Sequence, residues 1–186
     1  SIAKMGVTID FCAWRNVMPR LSESLAGDRN ALAFLDMLAW SEGTSTSPAT
    51  AMYGYDVIVT GADRKPEVFK DFTDHPFAKG RASKVINSKG LISNASGRYQ
   101  QMLKDWPHYK ALLKLADFSP ISQDLLALQH IRECRALPDV VAGRIETAIA
   151  KCRNIWGSLP GAGYGQREHR LEDLLKQYRL AGGVMS

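Results

Sequence analysis

The residue best placed to do chemistry is Glu42. It follows Leu38 by four positions and Leu35 by seven, so on a helix of 3.6 residues per turn the three share one face, with Phe34 and Ala31 behind them. That face is apolar, and a carboxyl on it is not placed like a solvated surface charge. Gly43 supplies a helix stop, which puts Glu42 at the negative pole of the helix dipole, where an anion is disfavoured. Trp40 and nearby tyrosines can keep water away. Both effects raise a carboxyl pKa. An acid that stays protonated near neutrality can give its proton to a glycosidic oxygen. The plainer alternative is a glutamate at a frayed helix end.

No second carboxylate is comparably placed. Asp56 interrupts an apolar strand and could face a cleft, although such an aspartate more often starts a hairpin ladder. Asp71 and Asp74 flank the end of a hairpin, and Asp74 before His75-Pro76 reads as a turn residue. Glu133 and Glu146 fall on polar helix faces, and His108 and His130 read as surface or packed residues. No Ser-His-Asp order, phosphate-binding loop or dinucleotide fingerprint occurs. Two polar and aromatic segments lie on turns: Gly97-Arg98-Tyr99-Gln100 and Gly161-Ala162-Gly163-Tyr164-Gly165-Gln166. Their glycines let the backbone approach a ligand, and Tyr and Gln offer a stacking face and amide bonds that suit sugars. A turn holding a packed tyrosine is the competing explanation.

The elements that must position these residues follow from the pattern. Asp28 is an acceptable N-cap for a helix through Ala31–Trp40. The Ser/Thr/Pro/Ala-rich stretch 44–53 is a loop. Tyr55–Thr60 reads as a strand, turned by Gly61-Ala62-Asp63 and answered by Glu67–Phe72. The stretch 77–97 lacks periodicity, carries Lys79, Arg81, Lys84 and Lys89, and reads as a long basic loop with one strand at most. Helices are expected over Trp106–Leu115, Pro120–Ala136 (Ile121, Leu125, Leu128 and Ile131 on its buried face), Pro138–Cys152 and Glu168–Leu180. Residues 1–29 form an arm in which Trp14, Val17, Met18 and Leu21 recur at helical spacing. The sum is a mainly helical α+β domain over 30–186 with a small antiparallel sheet.

Composition limits the classes available. A chain of 186 residues with 45% hydrophobic and 23% charged residues forms one ordinary globular domain rather than a disordered polyampholyte. No apolar run approaches the roughly 20 residues that span a bilayer, so no stable membrane insertion is expected. The opening residues lack the apolar core of a cleavable export signal. Three cysteines, Cys12, Cys134 and Cys152, are too few and too far apart for a disulfide framework or a zinc site, and fit a reducing compartment. Two of them read as buried thiols and the third as part of the arm. The net charge of +5 fits an anionic partner without choosing one.

The blocks Ala31–Thr44, Gly54–Val59, Phe72–Pro76, Gly97–Gln100 and Asn154–Gln166 together resemble the bacteriophage lambda-type endolysins, in order, from about Asn30 to Gly183. The resemblance implies a lysozyme-like fold and a lytic transglycosylase. Such an enzyme cuts peptidoglycan between N-acetylmuramic acid and N-acetylglucosamine without water, leaving a 1,6-anhydro end. It implies that Glu42 is the catalytic acid and base. It also implies substrate binding by Ser41, Tyr55, Gly97, Tyr99, Gln100, Gly163, Tyr164 and Gln166. Two lips over the cleft fall near Gly80–Ser93 and Leu159–Gln166. No cofactor or metal is expected, and the partner is bacterial peptidoglycan rather than nucleic acid. By the same resemblance a monomer accumulates in the host cytoplasm and reaches the periplasmic wall once the membrane is breached. In this family the catalytic helix begins almost at the N-terminus, so residues 1–29 are an additional arm. A hydrolytic muramidase is the nearest alternative. A non-catalytic wall- or nucleic-acid-binding domain is a third, supported by charge alone, and the Lys79–Lys89 cluster has no aromatic residue for base stacking.

Overall fold

A computed structural model describes residues 20–186. The helix periodicity of Trp14, Val17 and Met18, and Cys12, lie outside the described residues. Leu21 is inside them and buried.

Everything is arranged around one helix. After a single turn α1 (Glu23–Ala26), helix α2 spans Arg29–Ser41. Asp28 caps it, its side chain accepting from the Asn30 N–H. The run Ala-Leu-Ala-Phe-Leu supplies strong helix formers. From Asn30 to Ser41 every side chain but Asp36 and Trp40 is buried, so α2 is a core helix covered nearly all round. It packs against the C-terminal helix α7 (Leu171–Leu180), against α5 (Leu137–Val141) and against α4 (Pro120–Glu133). Leu21 and Ala26 already belong to this core.

The β region lies at the C-terminal end of α2. Strands β1 (Val57–Ile58) and β2 (Glu67–Val68) pair antiparallel, Val57 opposite Val68 and Ile58 opposite Glu67. The ladder continues on the other edge of β1, where Val59 N donates to Ala95 O and Gly97 N to Val57 O. This fixes the Gly97–Gln100 turn against β1. A second core of Ile58, Phe69, Phe77, Trp106, Leu115, Phe118 and Leu126 lies beneath, over the short helix α3 (Trp106–Leu112).

Several expectations change. The strands are two residues long rather than six; one more ladder bond, Phe69 N to Asp56 O at 2.8 Å, follows them before the Asp56 side chain turns to Thr50 and Ala51. The basic stretch is a second antiparallel hairpin, β3 (Lys84–Val85) with β4 (Ile92–Ser93). Its turn is held by the Asn87 carboxamide, which accepts from Lys89 N and Leu91 N, and by Gly90 at φ 78°. The single helix expected over Pro138–Cys152 is two, α5 and α6 (Ile145–Cys152). Gly143 breaks it at φ 77°, and a Cβ there would lie 2.6 Å from Val184 O. Ile121 is exposed, and the buried face of α4 carries Gln123 and Asp124 instead. Of the cysteines, Cys152 is buried and Cys134 half-buried.

Candidate active site

Glu42 caps the C-terminus of α2, its N–H bonded to Leu38 O. Gly43 reverses the chain at φ 73°. Thr44 then locks the exit, its hydroxyl donating to Arg98 O at 2.6 Å with Ala39 O 3.2 Å away. The half-buried Glu42 carboxyl therefore stands at a fixed point on the floor of an open cleft of about 610 Å³. One wall comes from Val57, Ile58, Val59 and Thr60 of the β region, with Ile86 and Ser93 of the hairpin. The other comes from Ile155, Trp156, Gly157 and Gln166. Glu42 is the one carboxylate among the described residues lining it. Burial raises its pKa above the ordinary carboxyl value, and a hydrogen bond from Ser158 Oγ to Oε1, 2.5 Å long, opposes that shift.

The expected site residues separate into four groups. Gln100 and Gln166 line the cleft with Glu42. Ser41 is buried behind the acid, its hydroxyl 2.8 Å from Ser158 Oγ. Gly163 and Tyr164 lie on an exposed loop: Gly163 N donates to Glu168 Oε1 and the Tyr164 hydroxyl to Asn154 O. Tyr55 and Tyr99 do not line the cleft. Both are buried and donate their hydroxyls to Asp124 Oδ1, at 2.8 and 2.6 Å. Burial, reinforced by the Asp124 charge, pushes both phenols well up.

Arg98 completes this buried network. Its guanidinium lies 5.0 and 5.7 Å from the ring centroids of Tyr55 and Tyr99, which meet edge to face. Its Nη1 bonds Asp36 and the Tyr99 hydroxyl, and its Nε bonds Tyr53 O. Asp36, the charged residue in the middle of α2, is also held by Arg20 at 2.9 Å. Gln123 anchors the turn itself: Oε1 accepts from Arg98 N, and Nε2 donates to Tyr55 O and Phe118 O. The Arg-Tyr pair of the Gly97–Gln100 motif thus holds the floor in place while Gln100 faces the cleft.

Gly97 is required by this geometry. Its φ is 78°, and a Cβ would sit 2.4 Å from Gln123 Oε1 and 3.1 Å from a Phe118 ring carbon. Gly97→Ala adds a left-handed alanine, about 1–2 kcal/mol, and displaces a triply bonded amide. We expect a total loss of about 2–4 kcal/mol in denaturant unfolding. A change within about 0.5 kcal/mol would show that the turn yields freely.

Two contributors escaped the sequence patterns, Ser158 and Asp124. Ser158 lies inside the Asn154–Gln166 block but among glycines and a tyrosine that draw attention first. Asp124 left a readable signal, a carboxylate three residues after Ile121 and four before Leu128 in an apolar helix. Asp56 accepts from Thr50 Oγ1 and Ala51 N and so closes the loop after α2. In the basic hairpin region, Lys79 pairs with Asp71, and Arg81 and Lys84 with Glu67. No helix among the described residues is long and apolar enough to cross a membrane.

A mainly helical domain with this cleft is of the lysozyme-like class. Bacteriophage lambda lysozyme complexed with a chitohexasaccharide superposes with a TM-score of 0.78 at 48% identity, covering 86% of this chain and 97% of that one. Another structure of lysozyme from bacteriophage lambda gives 0.74 at 46% identity over the same shares. The sequence matches the endolysin family over residues 32–185. It is 65% identical to the endolysin of Escherichia phage P2 over 156 residues, 84% of this chain and 94% of that protein. It is 50% identical to the endolysin of Escherichia phage lambda over 154 residues, 82% and 91% of the two. The chain belongs to the endolysin family.

Proposed function

We propose that this protein degrades bacterial peptidoglycan to lyse a phage host, and that it does so as a lytic transglycosylase with Glu42 as the catalytic acid and base. The carrying observation is one half-buried glutamate, its pKa raised, facing a cleft whose described lining holds no other carboxylate. Hydrolysis with two carboxylates needs a second acid either about 5 Å away as a nucleophile or farther off to activate water. An internal nucleophile needs neither. Glu42 protonates the oxygen that links muramic acid to the next sugar, and the C1–O bond breaks. The carboxylate then takes the proton of the muramyl 6-hydroxyl as that oxygen bonds C1. The ring closes as a 1,6-anhydro end, and Glu42 is protonated again.

Gln100 and Gln166, both in the cleft lining, hydrogen-bond the sugar and its N-acetyl groups, which is an orientation effect. Ser41, Gly97, Tyr55 and Tyr99 serve the site from behind it. Gly163 and Tyr164 belong to a loop beside the cleft. The complex of lambda lysozyme with a chitohexasaccharide supports an N-acetylated glycan as ligand. The enzyme accumulates in the host cytoplasm and meets its substrate after another protein opens the membrane.

Mass spectrometry of the muropeptides released from purified walls tests the mechanism. Anhydro ends, lighter than reducing ends by one water, are expected to dominate from the earliest time points. A majority of reducing ends would make the protein a muramidase, with water in place of the 6-hydroxyl.

A further inference from the structure

We propose that Ser158 is a positioning residue for Glu42, and that Ser41 and His169 hold it in place. This rests on Glu42 being the catalytic acid. Ser158 comes from the far end of the chain, 116 residues after Glu42, and its hydroxyl donates to Glu42 Oε1. Behind it the Ser41 hydroxyl lies 2.8 Å from Ser158 Oγ. Both serines are buried. A hydroxyl has one proton to give. With that of Ser158 given to Glu42, the contact behind it is completed by Ser41 donating to Ser158. The relay Ser41 to Ser158 to Glu42 therefore runs one way.

His169 clamps both serines through their backbones. Its Nε2 bonds Ser41 O at 2.9 Å, and its backbone N donates to Ser158 O at 2.9 Å. Its ring packs against that of Trp40, with centroids 4.6 Å apart. The loop after Trp156 and the end of α2 are thereby joined at the acid itself.

The relay has two chemical consequences. An oxygen that accepts a hydrogen bond is the poorer place for the acidic proton, so the proton resides on Oε2 and leaves Oε1 to Ser158. After the proton is given up, the same bond stabilises the carboxylate in a site where burial disfavours it. No ion pair among the described residues does this work. Asp36, on the same helix, is bonded to Arg20 and Arg98. Glu168, on the adjoining loop, is bonded to Gly161 N and Gly163 N, and His169 to Ser41 O. Residues 57–60, which line the same cleft, carry no charge.

The test is the Glu42 carboxyl titration, followed by NMR with carbon-13 in glutamate side chains, beside the pH profile of wall clearing. In Ser158→Ala the Glu42 titration should move up by about one pH unit, the size expected for one hydrogen bond to a charged group. The alkaline limb of the activity profile should move up with it. The rate constant at the optimum should fall about tenfold, with KM nearly unchanged. Ser158→Thr, which restores a hydroxyl, should return the titration most of the way. A folded Ser158→Ala protein whose Glu42 titrates as in wild type overturns the proposal. A shifted titration with an unshifted activity profile overturns instead the assignment of Glu42 as acid. If Ser158→Ala does not fold, Ser41→Ala decides: a smaller upward shift upholds the relay, and an unmoved titration overturns it.

Discussion

Replacing Glu42 by Gln is expected to abolish clearing of peptidoglycan while leaving the protein folded. The loss should be about 10³-fold or more, since the residue serves first as acid and then as base, and a single such role is worth about 10²–10⁴. No neighbouring group can take over, because the described lining of the cleft offers no other carboxylate. The amide keeps the shape of the carboxyl and an oxygen for Ser158, so the packing at the end of α2 is retained. Glu42→Asp should also be impaired, by about 10²-fold, because one methylene less withdraws the acid from its fixed point.

Stability should move the other way. Burial raises the Glu42 pKa in the folded protein, so between the unfolded value and the folded one the native state holds a proton that the unfolded chain has released. Wild-type stability therefore falls as pH rises through that window and stays lowered above it. Glutamine releases no proton. Glu42→Gln should be more resistant to denaturant than wild type at about pH 8 and gain nothing at about pH 4. More than a tenth of wild-type clearing remaining in the variant would remove Glu42 from the mechanism.

The features legible in the sequence are those fixed by local pattern. Asp28, the Ala31–Ala39 run and Gly43 define α2 almost to the residue, and with it the position of Glu42. Helix faces were less secure. Ile121 looks like the start of a buried stripe, yet Gln123 and Asp124 take the interior because tertiary partners satisfy their polar atoms. The helix expected over Pro138–Cys152 runs straight through Gly143, because the close approach of the C-terminal segment that demands a glycine there is a tertiary fact. The β3–β4 hairpin was concealed by its brevity: two-residue strands show no alternation, and only Asn87 and Gly90 mark the turn.

Around the site the limit has the same cause. A motif tells that Gly97, Arg98, Tyr99 and Gln100 belong together, but not that Tyr99 points into the core while Gln100 faces the cleft. Nothing local to Ser158 connects it with a glutamate 116 residues away.

Asp124→Ala is expected to cause the largest loss of stability of any single substitution considered, about 3–5 kcal/mol. Asp124 is fully buried in the middle of α4. One oxygen accepts the hydroxyls of Tyr55 and Tyr99, and the other accepts Leu21 N at 3.1 Å. Alanine leaves two phenols and a backbone N–H without that acceptor, in a site where each buried unsatisfied donor costs about 1–3 kcal/mol. It also removes one of the two carboxylates, Asp36 and Asp124, that balance the buried Arg98 and Arg20. Asp124→Asn keeps one acceptor oxygen but points an amide toward Leu21 N, and should lose about half as much. Tyr55→Phe removes one hydroxyl and should cost about 1 kcal/mol. Guanidinium unfolding of the three variants gives this order directly. The consequence for function is thermal: Asp124→Ala should clear walls near the wild-type rate where it is folded and lose activity at the temperature where its fold is lost. A stable Asp124→Ala protein that is inactive would show that the network orients Gln100 and Glu42 as well as holding the floor. A stable and active one would show that water replaces the carboxylate without cost.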